Sequence, residues 1–98
     1  MTLYAESSAV LAWLLGEPRA EEIRDRLASA EHVIASDLTL VECDRVLIRA
    51  AALGELVEAE AAGRRAELST AAAHWTLLRP GGEVIDRAPQ RFSKEAIR

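Results

Sequence analysis

The stretch LYAESSAVLAWLLGE (residues 3–17) decides the fold. It follows Thr2 as a short apolar and aromatic run, TLYA (residues 2–5), too short for a helix and readable as a buried strand. Ser7 or Ser8 then offers a hydroxyl that can accept from the free amides of a first helical turn. A strongly apolar helix, AVLAWLL, runs on to Gly16, a residue free to turn left-handed. Between strand and helix stands one acid, Glu6. A solvated glutamate needs no such setting, whereas a carboxylate held at the end of a buried strand does.

Working outward, EPRAEEIRDRLASA restarts a helix with Pro18 at its first position and an apolar stripe of Ala20, Ile23, Leu27 and Ala30. HVIAS (residues 32–36) is a second strand, and Ser36 is the next helix cap. DLTLVECDRVLIRAAAL forms a helix ended by Gly54, with a buried stripe of Leu40, Cys43, Leu47, Ala50 and Leu53. A neighbouring, partly polar stripe carries Glu42, Arg45 and Arg49. A long helix follows through residues 55–75, with Val57, Ala61, Leu68, Ala72 and Trp75 on one side. TLLR (residues 76–79) is a third strand, PGG a turn, and EVIDRA a short helix that Pro89 ends. Strands alternating with helices in this way argue for one α/β domain built on a parallel sheet.

The totals exclude several classes. The chain has 98 residues, half of them apolar and 29% charged, which suits one small globular domain. A net charge of −4 removes any general basic footprint for nucleic acid, although a local Arg cluster beside an acidic site stays compatible with it. The lone cysteine, Cys43, excludes an internal disulfide and fits a reducing cytoplasm. No apolar run approaches a membrane span, and no CxxC, HExxH or GxxxxGK[ST] signature occurs.

In open α/β sheets, sites form beyond the carboxyl ends of the strands. Glu6 lies just past the first strand; Ser36 and Asp37 lie just past the second, and Glu42 sits in the helix that follows. If the two strands are neighbours, Glu6 and Glu42 converge at one edge of the sheet. Converging carboxylates suit Mg²⁺ or Mn²⁺, hard cations that prefer oxygen and keep several waters. Each residue also has a plain structural role open to it. Glu6 and Asp37 are acids near helix starts, where the dipole favours negative charge. Glu42 is spaced for a surface pair with Arg45, Ser8 for a helix cap, and Arg45 and Arg49 for a solvated face. Cys43, His32, His74, Trp13 and Trp75 read as core, surface or dimer contacts rather than as ligands or stacking platforms.

Three segments, in their order and separation, resemble PIN domains of the VapC toxin type: LYAESSAVLAWLLGEP, ASDLTLVECDRVLIRAAALG and AAAHWTLLRPGGEVIDRA. The resemblance covers essentially the whole chain. It implies a PIN-like, Rossmann-like three-layer sandwich with a short parallel sheet. In that family a strand-end aspartate, a glutamate on the helix after strand two, and further aspartates in the C-terminal third bind Mg²⁺ or Mn²⁺ and cleave RNA. Glu6 matches the first acid, Ser8 the small hydroxylated residue two positions later, and Glu42 the second acid. The resemblance thus implies catalysis and metal ligation by Glu6 and Glu42, with Ser8 in a supporting hydrogen-bonding role. From their own positions, Asp37 is a further supporting candidate and Arg45 and Arg49 could hold RNA phosphate through charge-assisted contacts. It also implies a cognate antitoxin, a homodimer and a cytoplasmic setting.

There are two departures from the pattern. The first acid is Glu where Asp is usual, one methylene longer around an ion that demands near-octahedral geometry. The family also continues with a helix opened by an aspartate and then by HLA, and nothing in this sequence corresponds. Asp86 and Glu95 are the late acids present, and neither sits in the matching context. The expectation is therefore a PIN-like domain over residues 1–98 that holds its N-terminal two-thirds, stops after the third strand, leaves strand one as an exposed edge, and is inactive or severely impaired as a nuclease. The competing expectation is a catalytically dead PIN-like module that binds an antitoxin or a dimer partner.

Overall fold

The computed structural model describes residues 1–79 and the strand Val84–Ile85. In chain order the elements are β1 (Thr2–Tyr4), α1 (Ser7–Leu14), α2 (Ala20–Ser29), β2 (His32–Ser36), α3 (Asp37–Ala52), α4 (Glu58–Ala72), β3 (Thr76–Leu78) and β4 (Val84–Ile85). The strands lie side by side in the order β1-β2-β3-β4. β1 runs parallel to β2 with Leu3 beside Val33, and β2 runs parallel to β3 with Ala35 beside Leu77. Parallel neighbours cannot be joined by a tight turn, so each step between them needs a long crossover. Here α1 and α2 fill the first crossover, and α3 and α4 the second.

One core holds the fold. Ala5, Val33, Ala35 and Leu77 from the sheet side meet Val10 and Leu14 of α1, Leu40, Cys43 and Leu47 of α3, and Leu68, Ala72 and Trp75 from α4 and its end. Strand side chains alternate between faces. The residues between these, namely Tyr4, Ile34, Thr76 and Leu78, are not buried, so among the described residues the core gathers on one face of the sheet. Fully burying a Val or Leu is worth about 1.5–3 kcal/mol, and α1 contributes Val10 and Leu14 in this way.

The α/β architecture and short parallel sheet agree with the sequence reading, and β1 does stand at the edge of the described sheet. The left-handed glycines at both expected helix ends are also present, with φ of 72° at Gly16 and 78° at Gly54.

Four expectations change. Val84–Ile85 is a strand antiparallel to β3, with Ile85 beside Leu77 and Val84 beside Leu78, rather than part of a helix. A β-branched pair fits a pleated surface, and an open strand lies within reach, so sheet pairing overrides the helical reading. The described sheet therefore extends past the third strand. The rest of the expected helix, with Asp86, Pro89 and Glu95, lies outside the described residues. α2 begins at Ala20, because Pro18 and Arg19 occupy a turn in which the Ala20 amide donates to the Glu17 carbonyl at 2.8 Å. Leu53 and Val57 are 62% and 66% exposed, since they terminate α3 and precede α4 rather than continue the buried stripes.

Candidate acidic site at the ends of strands one and two

Both chain corners that leave the carboxyl ends of β1 and β2 pass directly into a helix. At the second, Ser36 keeps an extended backbone (φ −77°, ψ 145°), and its Oγ accepts from the Leu38 amide at 3.1 Å. This is the expected cap. At the first, Glu6 is the cap residue (φ −84°, ψ 156°), its carbonyl accepts from the Val10 amide at 3.0 Å, and its side chain makes no cap bond.

Neither Ser7 nor Ser8 serves as the N-cap, because both lie inside the first turn of α1. Their hydroxyls turn to the acids instead. Ser7 Oγ donates to Glu42 Oε1, and Ser8 Oγ donates at 3.5 Å to Glu6 Oε1, a long and correspondingly weak bond. Glu42 reaches Ser7 because Cys43, the next residue of α3, is fully buried and fixes the rotation of that helix. The Cys43 thiol also lies 4.0 Å from the Ser7 carbonyl. Glu42 is thereby brought to Ser7, the residue that follows Glu6 in the chain, across a separation of 35 residues.

The surroundings are asymmetric. Glu6 and Ser8 border a groove of about 630 Å³ walled by β1, α1 and α2, to which Tyr4, Arg19 and Arg26 also contribute. Behind Glu42 the site is dry. Burial, with the negative charges of Glu42 and Asp44 added to it, pushes the Cys43 thiol up to about 11. Asp37 occupies the first position of α3, and its Oδ1 is buried with no hydrogen-bond partner among the described residues. An unsatisfied buried acceptor costs roughly 1–3 kcal/mol, and a bound donor or cation would relieve it.

Arg45 and Arg49 are both exposed on α3, and neither forms an ion pair among the described residues. The Glu42–Arg45 surface pair that the spacing allowed is therefore not made; the carboxylate is taken by Ser7. The neighbouring Asp44 instead holds Arg65 of α4 through two bonds of 2.6 and 3.2 Å. Sequence reasoning named Glu6, Ser8, Asp37 and Glu42 but gave Ser7 no part beyond capping. No local pattern distinguishes the first serine of ESS from the second; only the approach of α3 does.

The profile described as PIN domain matches residues 3–96, nearly the whole chain, and the chain belongs to the PIN domain family. No curated protein matches the sequence. PIN domains are typically nucleases that act on RNA with the help of divalent metal ions, so the family match points to a nuclease-type function. The donors assembled here are carboxylate and hydroxyl oxygens, the chemistry that suits Mg²⁺ or Mn²⁺. Among the described residues no three His, Cys, Asp or Glu side chains gather at one point. Mg²⁺ commonly takes only one or two protein carboxylates and fills its shell with water and substrate phosphate. Glu6 and Glu42 carry oxygens of the type such a site uses. Among the described residues no helix is long and apolar enough to cross a membrane.

Proposed function

We propose that the protein is a metal-dependent endoribonuclease toxin of the VapC type, which hydrolyses RNA phosphodiesters in the cytoplasm. The observation that carries this reading is the bond from Ser7, the neighbour of Glu6 just past β1, to Glu42 on the helix after β2. Glu6 and Glu42 would hold Mg²⁺ or Mn²⁺. When bound, such an ion supplies an activated water and charge to offset that of the phosphate. The protein's own residues prepare the place for it. Ser8 steadies the Glu6 carboxylate, Ser7 that of Glu42, and the buried Asp37 oxygen adds negative potential behind β2. Arg45 and Arg49, one turn apart and in no ion pair among the described residues, would take RNA phosphates by charge-assisted hydrogen bonds.

A homodimer and a cognate antitoxin belong to the same proposal. Leu38, Val41 and Ile48 are exposed at helical spacing along the outer side of α3, which supports a partner covering this face.

The second reading is a PIN-like binding module without catalysis. It is favoured by one observation, that no group of three metal-ligating side chains is found among the described residues. RNA cleavage with Mn²⁺, with EDTA and Glu42→Gln as controls, separates the two. Cleavage that both controls abolish supports the toxin reading and overturns the expectation of an impaired nuclease. A folded chain that neither cleaves RNA nor binds Mn²⁺ in a Glu42-dependent manner sinks it in favour of the module.

A further inference from the structure

We propose that Ser7 is a positioning residue: its hydroxyl holds the Glu42 carboxylate in the orientation in which it shares a site with Glu6. This rests on the nuclease reading of the two acids above.

Ser7 stands one residue after Glu6, in the first turn of α1, and its bond to Glu42 spans 35 residues. A serine at that place ordinarily finds its partner among nearby backbone amides. This one gives its hydroxyl to another helix instead. Its backbone is held from the same direction, because the Cys43 thiol faces the Ser7 carbonyl at 4.0 Å. Side chain and carbonyl of one serine therefore meet two successive residues of α3. Cys43 is fully buried and cannot rotate away, so Glu42 is presented to Ser7 by the packing of the core.

The chemistry suits a positioning role. A glutamate on an exposed helix face has several rotamers of similar energy, and Arg45 three residues on is a rival partner. A single hydroxyl donor selects among them while occupying only part of the carboxylate's acceptor capacity. A carboxylate has two oxygens and about four lone-pair sites. Oε2 and the second lone pair of Oε1 stay open to a ligand. Groups that orient a metal ligand in this way typically contribute a factor of about 10–100 in metal affinity. The short serine side chain also makes the spacing strict: threonine carries the same hydroxyl at the same reach, and alanine carries none.

The test is Mn²⁺ binding by the 98-residue chain, followed by isothermal titration, together with thermal unfolding midpoints. The variants are Ser7→Ala, Ser7→Thr, Glu42→Gln and the Ser7→Ala/Glu42→Gln pair. Ser7→Ala is expected to weaken Mn²⁺ about tenfold, Ser7→Thr to keep the parent affinity, and Ser7→Ala to add nothing once Glu42 is Gln. The midpoint shifts of Ser7→Ala and Glu42→Gln are expected to be non-additive in the pair. A folded Ser7→Ala chain with unchanged affinity overturns the role of Ser7 while leaving the nuclease reading intact. A parent chain with no Mn²⁺ affinity overturns that reading and the positioning role with it. Additive midpoints overturn the Ser7–Glu42 coupling whatever the metal does.

Discussion

The two corners at the top of the sheet are built to one plan and finished differently. After β2, Ser36 adopts the extended geometry of a cap and satisfies the Leu38 amide. After β1, the cap residue is an acid that makes no cap bond, and the serine beside it reaches across to α3. The first arrangement stabilises its own helix. The second leaves its own helix start to backbone and solvent and fixes a carboxylate on another element.

The sharpest way to break this comparison is to remove the carboxylate that the first corner holds. Glu42→Gln should reduce Mn²⁺-dependent RNA cleavage to the level seen with EDTA while the chain stays folded by circular dichroism. Retained cleavage would leave the corner with no functional difference from its neighbour. Next in size is Leu47→Ala, which empties a fully buried place on α3 in the core beneath the sheet. A loss of roughly 2–5 kcal/mol in urea unfolding is expected, with both corners failing in one transition.

The dry side of the first corner has its own signature. The Cys43 thiol is raised from 9.0 to about 11 in the folded chain. Between those pH values the unfolded chain loses the thiol proton and the folded chain keeps it, so stability falls as pH rises, by at most about 3 kcal/mol across the window. Below the lower value the contribution is constant. Unfolding midpoints of the parent and Cys43→Ala should therefore converge or diverge only in alkali; a parallel pair of curves there would mean the thiol is wetter than its burial indicates. The smallest effects compare the serines directly. Ser36→Ala should cost about 1 kcal/mol as a lost cap, whereas Ser8→Ala, whose bond to Glu6 is long, should stay within about 0.5 kcal/mol.

Much of this was legible in the sequence because periodicity and turn residues act locally. The parallel order of β1, β2 and β3, the glycine stops at Gly16 and Gly54, the Ser36 cap and the buried side of α3 from Leu40 to Ala50 all follow from spacing and residue type. The placement of Glu6 just past β1 and of Glu42 on the helix after β2 was legible as well, since both follow from where the elements begin and end. The misses share one cause. Val84–Ile85 pairs with β3, Leu53 and Val57 fall outside the packed stripes, and Ser7 turns to Glu42, each because of a neighbour remote in sequence. No window of a dozen residues contains those neighbours.

That remoteness has a consequence for how the protein assembles. Pairing β1 with β2 sets Thr2 against His32, and pairing β2 with β3 sets Ile34 against Thr76. Each parallel contact closes a loop containing two helices, so chain entropy must be surrendered before any sheet energy is returned, which slows folding. The helices have local contacts and can form early; the meeting of Glu6, Ser7 and Glu42 requires the first long closure to be complete. A partly synthesised or partly folded chain therefore carries Ser7 and Glu42 without the bond between them, which forms only as the sheet closes.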